Sequence, residues 1–288
     1  MADVLWFNGR FTTTAERVLG VEDRGFQFGD GVYEVLKFAG KRPVFLDDHF
    51  RRMQRGLAEI EIPSPWTEGS FRSMLRELLE RTPFDEGIIY VQVSRGETER
   101  VHFHPGDMKP TALAYSRRFR FPDAARREQG VRVITAPDQR WLRCDVKSVN
   151  LLANVLAKKK AQRASAEEAL LIADGLVREG ASSSFFVVRG ERLITHPLDE
   201  HILPGVVRDH TIGLALGAGI RVDERPLREA ELLDVDEAFL TSTTLGIMPV
   251  TDIDGRVVGS GRRGEITAQL QRLIDEGEEE GDTRSSRA

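Results

Sequence analysis

Residues 167–196, EEALLIADGLVREGASSSFFVVRGERLITH, decide the fold class. Two runs of apolar and β-branched residues flank Asp174-Gly175, a strong hairpin signal, and FFVVRGERLITH follows as a second hairpin. Immediately upstream, SVNLLANVLAKKKAQRA (148–164) is amphipathic with a helical period. Its Lys158, Lys159 and Lys160 run toward the carboxyl end, where cations suit the helix dipole. Hairpins interspersed with helices predict an α+β class rather than a doubly wound parallel sheet.

The flanking sequence agrees. VLWFNGRFTTT (4–14) is a hairpin around Asn8-Gly9, and GVYEVLKFAGKRPVFL (31–46) another near Gly40. LDDHFRRMQRGLAEIEI (46–62) spaces Phe50, Met53, Leu57 and Ile60 as one helical face, and TEGSFRSMLRELLERT (67–82) opens with Thr67 as a cap. GIIYVQVSRG and KPTALAYSRRF are strand-like. Downstream come a helix after Gly205, strands turning at Asp254-Gly255, and a closing helix in GEITAQLQRLIDEG. The arginine-rich stretch RRFRFPDAARREQG, interrupted by Pro122, is the expected joint between domains. This places a small N-terminal α/β domain at 1–118, a linker at 119–131, a larger domain at 132–275 and an acidic disordered tail at 276–288.

Composition narrows the function. The 288 residues carry a net charge of −5, with 40% apolar and 30% charged side chains, as in ordinary soluble proteins. From Asp275 onward six acids and two arginines contribute −4 of this. The body is therefore near neutral, without the basic field that holds nucleic acid. No window reaches the roughly 18–20 apolar residues of a membrane span, and MADVLWFNGR lacks the pattern of a secretory leader. Cys144 is the single cysteine, so neither an intramolecular disulfide nor a thiolate metal cluster forms, which fits a reducing cytoplasm. The six histidines give no metal-ligand spacing, and no metal is expected. Walker, GxGxxG and GxSxG motifs are also missing.

Four features can carry chemistry. Lys147, in CDVKSVN, is flanked by Val146 and Val149. A partly desolvated amine there would act as a carbonyl nucleophile and proton carrier, although a lysine snorkelling from a strand end fits the same residues. LPGVVRD places the amides of Val206 and Val207 in the first turn of a helix, an anion site, and TSTT (241–244) supplies hydroxyl donors. Glu179 ends an apolar strand before Gly180 and three serines. Buried, it needs a partner such as a protonated ring nitrogen; exposed, it pairs with a neighbouring arginine.

Seven blocks, DRGFQFGDGVYEVLK, LDDHFRRM, SRGETERVH, RWLRCDVKSVNLLANVLAKKKA, LVREGASSS, ILPGVVRD and FLTSTTLGIMPV, occur in order over residues 1–275. In them the chain resembles the fold-type IV pyridoxal-phosphate enzymes, the class IV aminotransferases, and among these the D-amino-acid aminotransferases. The resemblance implies two α/β domains with pyridoxal 5'-phosphate in the interdomain cleft of a cytoplasmic homodimer. It implies ping-pong conversion of D-alanine and 2-oxoglutarate to pyruvate and D-glutamate. Lys147 would form the Schiff base and shuttle the proton, and Glu179 would face the pyridine nitrogen. Arg52, Val206, Val207, Ser242 and Thr243 would bind the phosphate, Leu203 would pack on the ring, and Ser182 and Ser183 would border the site. Tyr33 would orient substrate. Arg100 and His102, from the neighbouring subunit, would hold its carboxylate in a planar guanidinium fork, with Arg140 nearby. Branched-chain L-amino-acid aminotransferases and aminodeoxychorismate lyases share the cofactor residues and are the alternatives. Ala181, Ser184 and Leu245-Gly246 depart from the pattern of many relatives, a departure expected to leave the Schiff-base chemistry intact and to bear on side-chain preference or affinity.

Overall fold

The computed structural model describes residues 4–280. The chain divides into two units, Met1–Arg120 with Val146–Asn150, and Phe121–Asp145 with Leu151–Ala288. The first unit holds strands β1 (Val4–Phe7), β2 (Arg10–Thr13), β3 (Gly31–Ala39), β4 (Arg42–Pro43), β5 (Glu86–Ser94) and β6 (Thr111–Arg117), and helices α1 (Arg24–Phe28), α2 (Leu46–Glu59) and α3 (Glu68–Arg81). Its sheet has the order β2-β1-β6-β5-β3-β4, and all of its pairings are antiparallel. Alternation along β3 turns Val32, Leu36 and Phe38 to the same core as Met53 and Leu57 of α2 and Phe71, Leu75 and Leu78 of α3. Full burial of each such side chain stabilises by roughly 1.5–3 kcal/mol. Thr67 caps α3 in a reciprocal arrangement with Ser70.

The second unit contains α4 (Ala124–Gln129), β7 (Val131–Pro137), α5 (Leu152–Arg163), β8 (Glu168–Ala173), β9 (Leu176–Gly180), β10 (Ser184–Arg189), β11 (Arg192–Thr195), α6 (Val206–Gly217), β12 (Arg221–Glu224), β13 (Leu227–Arg228), β14 (Glu237–Ser242), β15 (Gly246–Ile253), β16 (Arg256–Val257) and α7 (Glu265–Glu280). Its ten-stranded sheet runs β12-β11-β10-β14-β15-β7-β8-β9-β13, with β16 beside β15. Three pairings, β7 with β8, β7 with β15 and β11 with β12, are parallel, so the sheet is mixed. The step from β7 through α5 to β8 is a parallel crossover that the hairpin-rich sequence did not suggest. On one face Leu170, Val187, Leu240 and Met248 form a core; on the other, alanines 157, 161 and 169 let α5 lie close to Leu171.

The hairpins expected at Asn8-Gly9, Asp174-Gly175 and Asp254-Gly255 form, each with both turn residues at positive φ. Two expected boundaries differ. Within 119–131, residues from Phe121 on belong to the second unit, because Asp123 caps α4 through the Arg126 amide at 2.9 Å and Arg127 of α4 pairs with Asp275 of α7 at 2.8 Å. Segment Val146–Asn150 returns to the first unit, which division at a single linker could not express. The acidic stretch placed in a tail from 276 continues α7 as far as Glu280, and 281–288 lie outside the described residues. Among the described residues, no helix is long and apolar enough to cross a membrane.

Candidate active site

In the first unit, the Tyr33 amide donates to the Lys147 carbonyl at 3.0 Å and the Val149 amide to the Gly31 carbonyl at 3.0 Å. With the Val32–Ser148 bridge, these bonds make the segment a short antiparallel partner of β3. Alternation sends Val146 into the core and leaves Lys147 half-buried beside Tyr33, its Nζ 4.2 Å from the ring centroid. Among the described residues that amine makes no hydrogen bond or ion pair. Tyr33 stacks on Tyr90 at 5.7 Å and Tyr90 on Tyr115 at 5.2 Å, and burial raises the Tyr90 hydroxyl above its ordinary pKa.

The opposite face of β3 carries Glu34 into the core side, fully buried. Its carboxylate accepts from Arg52 Nε and Nη2, each at 2.7 Å, and lies 2.7 Å from His49 Nδ1. Burial alone would raise this carboxyl; the Arg52 guanidinium and His49 outweigh it and hold it at about 2. Burial likewise lowers His49, against the pull of Glu34, so the ring is neutral near pH 7. Arg52, expected at a phosphate, is thus first the bidentate partner of Glu34. Glu34 and His49 were missed as functional residues, yet the signal was there. Alternation in GVYEVLKF puts Glu34 among Val32, Leu36 and Phe38, and a charge at a core position must be paired.

Arg100 and His102 lie in the 16-residue connection from β5 to β6. They flank Phe28, with the Arg100 guanidinium 4.8 Å from its centroid and the His102 ring 5.8 Å from it. Both side chains are exposed, and among the described residues neither makes a side-chain hydrogen bond or ion pair. Their donors are open to an anion.

In the second unit, Glu179 is buried at the end of β9. Its Oε1 accepts from Arg140 Nη1 at 2.5 Å and from the Leu203 amide at 3.1 Å, while no described residue donates to Oε2. Burial pushes the carboxyl up to about 7 in spite of Arg140. Arg140, expected near substrate, is employed otherwise. It grips Asp138 through Nε at 3.0 Å and Nη2 at 2.9 Å, reaches the His201 carbonyl at 3.0 Å, and pairs with Glu179. Leu203 touches Glu179 through its amide, and its side chain is half-buried.

Ser182 and Ser183 share a partner absent from the expectations. Glu168, fully buried, accepts from the Ser182 hydroxyl at 2.7 Å and the Ser183 hydroxyl at 3.1 Å. Helix α6 begins at Val206, with Gly205 as an N-cap that makes no side-chain cap hydrogen bond. Val206 and Val207 offer amides that find no acceptor within the helix. A Cβ on Gly205 would fall 2.7 Å from Ser184 Oγ, so a larger residue there would have to displace that hydroxyl. Ser184 is paired with Thr241 of β14, which brings Ser242 and Thr243 to the same end of the sheet. Thr241 Oγ1 is buried without a partner, and the Thr243 hydroxyl makes no hydrogen bond among the described residues.

A phosphate suits these amides and hydroxyls, a protonated ring nitrogen suits the open Oε2 of Glu179, and an aldehyde suits the unpartnered amine of Lys147. Taken unit by unit, the residues present therefore suit the separate groups that pyridoxal phosphate carries.

The family model described as amino-transferase class IV matches residues 31–253. A D-alanine aminotransferase of Bacillus licheniformis is 43% identical over 268 residues, 93% of this chain and 94% of that one. One of Listeria monocytogenes is 37% identical over 271 residues, 93% and 94% respectively. Among solved structures, the branched-chain amino acid aminotransferase of Escherichia coli has a TM-score of 0.90 at 25% identity, covering 96% of this chain and 94% of its own. The 4-amino-4-deoxychorismate lyase of Pseudomonas aeruginosa has a TM-score of 0.82 at 28% identity, covering 94% and 98%.

Proposed function

This chain belongs to the class IV aminotransferases, and on that premise we propose that it transaminates D-amino acids, D-alanine with 2-oxoglutarate giving pyruvate and D-glutamate. One observation carries the choice of substrate. Identity to a D-alanine aminotransferase reaches 43% over 93% of the chain, against 25% and 28% for the branched-chain enzyme and the lyase. The high TM-scores of those two reflect a backbone common to the class and do not select a substrate.

Pyridoxal phosphate supplies an electron sink for the pair left when the Cα–H bond breaks. The roles of the chain's own residues follow from their surroundings. Lys147 Nζ, with no competing acceptor, is the covalent anchor and then the group that takes and returns the Cα proton. Glu179 Oε2 keeps a proton on the ring nitrogen, while Arg140 and the Leu203 amide fix Oε1 and so aim the carboxylate. The amides of Val206 and Val207, with Ser242 and Thr243, bind the phosphate, to which Arg52 adds positive charge. Leu203 packs on the ring, Ser182 and Ser183 border it, and Tyr33 orients the substrate. Arg100 and His102 hold the α-carboxylate.

Both of these are exposed and, among the described residues, make no side-chain hydrogen bond or ion pair, which supports a homodimer in which they serve the neighbouring subunit. The apolar face of α5 supports it too, since Leu152, Val155 and Leu156, at helical spacing, are all exposed. A cytoplasmic location accords with the single free cysteine, Cys144.

A spectral titration of the purified, coloured protein tests the function. D-alanine should bleach the visible cofactor band and 2-oxoglutarate should restore it, while L-alanine and L-leucine leave it in place. Bleaching by L-leucine instead would identify a branched-chain enzyme, and pyruvate released from aminodeoxychorismate without an amino acceptor would identify a lyase. Protein that stays colourless after incubation with pyridoxal phosphate would refute all three.

A further inference from the structure

The connection from β5 to β6 is far longer than a tight hairpin needs, and residues 99–105 within it have no regular secondary structure. Backbone pairing therefore does not set the direction in which Arg100 and His102 point. Side chains from α1 do so. Arg24, buried at 4% exposure, donates from Nη1 to the Val101 carbonyl at 2.7 Å and from Nη2 to the His102 carbonyl at 3.2 Å. Its Nε is held by Asp30 at 2.9 Å, and the same carboxylate receives Arg95 at 2.8 Å. The Arg24 guanidinium also lies 4.7 Å from the centroid of Phe28, the ring that Arg100 and His102 flank. The helix that presents both Arg24 and Phe28 is itself fixed. Asp23 caps it through the Gly25 amide at 2.9 Å and is tied to the end of β5 by Ser94 Oγ at 2.7 Å.

Arg100 and His102 share one ring and leave their side-chain donors unpaired among the described residues, so something else must determine the backbone between them. Arg24 provides that, because its planar fork reaches two consecutive carbonyls from a buried and counter-charged position. We propose that Arg24 is a positioning residue for substrate recognition: by clamping the Val101 and His102 carbonyls it keeps the Arg100 guanidinium and the His102 imidazole arrayed about Phe28 to receive the substrate carboxylate. This rests on the proposed role of Arg100 and His102, and deepens it. No covalent or proton-transfer step passes through Arg24, so its loss acts on binding.

The test compares holoenzyme variants Arg24→Met, Arg24→Lys, Phe28→Leu and Arg100→Ala in steady-state transamination of D-alanine. Loss of two charge-assisted hydrogen bonds to the loop should raise KM for D-alanine about tenfold or more in Arg24→Met. Its kcat should stay within about twofold and its visible cofactor spectrum should be unchanged. Arg24→Lys, which reaches one carbonyl, should recover part of the loss, and Phe28→Leu should raise KM while leaving the Arg24–Asp30–Arg95 cluster in place. In the double variant with Arg100→Ala, Arg24→Met should add little. Hydrogen exchange of the apoprotein supplies a readout independent of turnover: amides 98–104 should exchange faster in Arg24→Met and not in Arg100→Ala. If Arg100→Ala raises KM while Arg24→Met changes neither KM nor exchange, the clamp is wrong and the carboxylate role stands. If Arg100→Ala leaves KM unchanged, the carboxylate role fails and the clamp's purpose with it. Parallel loss of kcat and cofactor binding in Arg24→Met and Phe28→Leu would show a structural part only, and would also overturn the proposal.

Discussion

Arg140→Gln is expected to move the titration of Glu179 upward by roughly one to two pH units. In the folded chain the Glu179 carboxylate accepts from the Arg140 guanidinium at 2.5 Å and from one backbone amide, and burial still leaves it at about 7. A hydrogen bond to a charged group contributes about 1.5–3 kcal/mol. At 1.36 kcal/mol per unit, its removal raises the carboxyl to about 8–9. Asp138, stripped of the same guanidinium, adds a like charge nearby and pushes in the same direction. The consequence for stability has a definite sign. The folded value lies above the 4.5 of an unperturbed glutamate, so the folded apoprotein binds this proton more tightly than the unfolded chain. The associated stability is complete below pH 4.5 and declines by about 3 kcal/mol as pH rises to 7. In Arg140→Gln the decline should continue to about pH 8–9. Urea unfolding of the apoprotein at half-unit steps from pH 4.5 to 9.5 measures this, with Glu179→Gln and the double variant as references that lack the titrating group. The difference curve of each arginine state against its Glu179→Gln counterpart isolates the carboxyl. Two difference curves that level off at the same pH would show that the guanidinium does not hold Glu179, and the electrostatic reasoning would fall.

Glu34 works in the opposite sense. Held at about 2, it contributes stability that is present above pH 4.5 and lost as pH falls toward 2. Glu34→Gln should remove that acid-side loss and, by taking the carboxylate from the bidentate pair with Arg52, cost about 3–5 kcal/mol at pH 7 in urea unfolding; a variant as stable as wild type at pH 7 would contradict the pairing. Lys147→Ala should abolish the visible band of bound cofactor and nearly all turnover, as read by absorbance and a coupled pyruvate assay, and a variant that keeps its turnover would remove Lys147 from the chemistry.

Much of the fold is written locally. The turns at Asn8-Gly9, Asp174-Gly175 and Asp254-Gly255, the Thr67 cap and the start of α6 at Gly205 each depend on a few adjacent residues. Their energetics are decided within one turn of chain, so inspection finds them. Helix α1 escaped notice because five residues carry no period, and its anchors, Ser94 and the carbonyls of Val101 and His102, lie about 70–80 positions away. The same holds for Glu34, His49 and Arg52. The last two share one face of α2 at i, i+3, but their counter-charge comes from another strand. The motif raised the expectation of Arg140 near substrate, and only folding shows its donors committed to Asp138 and Glu179.

By itself, the order of residues determined which stretches become hairpins and helices, which residue types are equipped for carbonyl, phosphate and carboxylate chemistry, and, through seven blocks in sequence, the kind of enzyme. The tertiary structure alone decided which of those groups are already neutralised and which remain open. Val146–Asn150 leaves its neighbours to line β3, Arg52 and Arg140 each spend donors on a buried carboxylate, and Arg100 and His102 keep theirs. The reason is physical: a side chain's propensity is a property of the chain near it, whereas its charge state and free donors depend on burial and on partners that long-range contacts deliver.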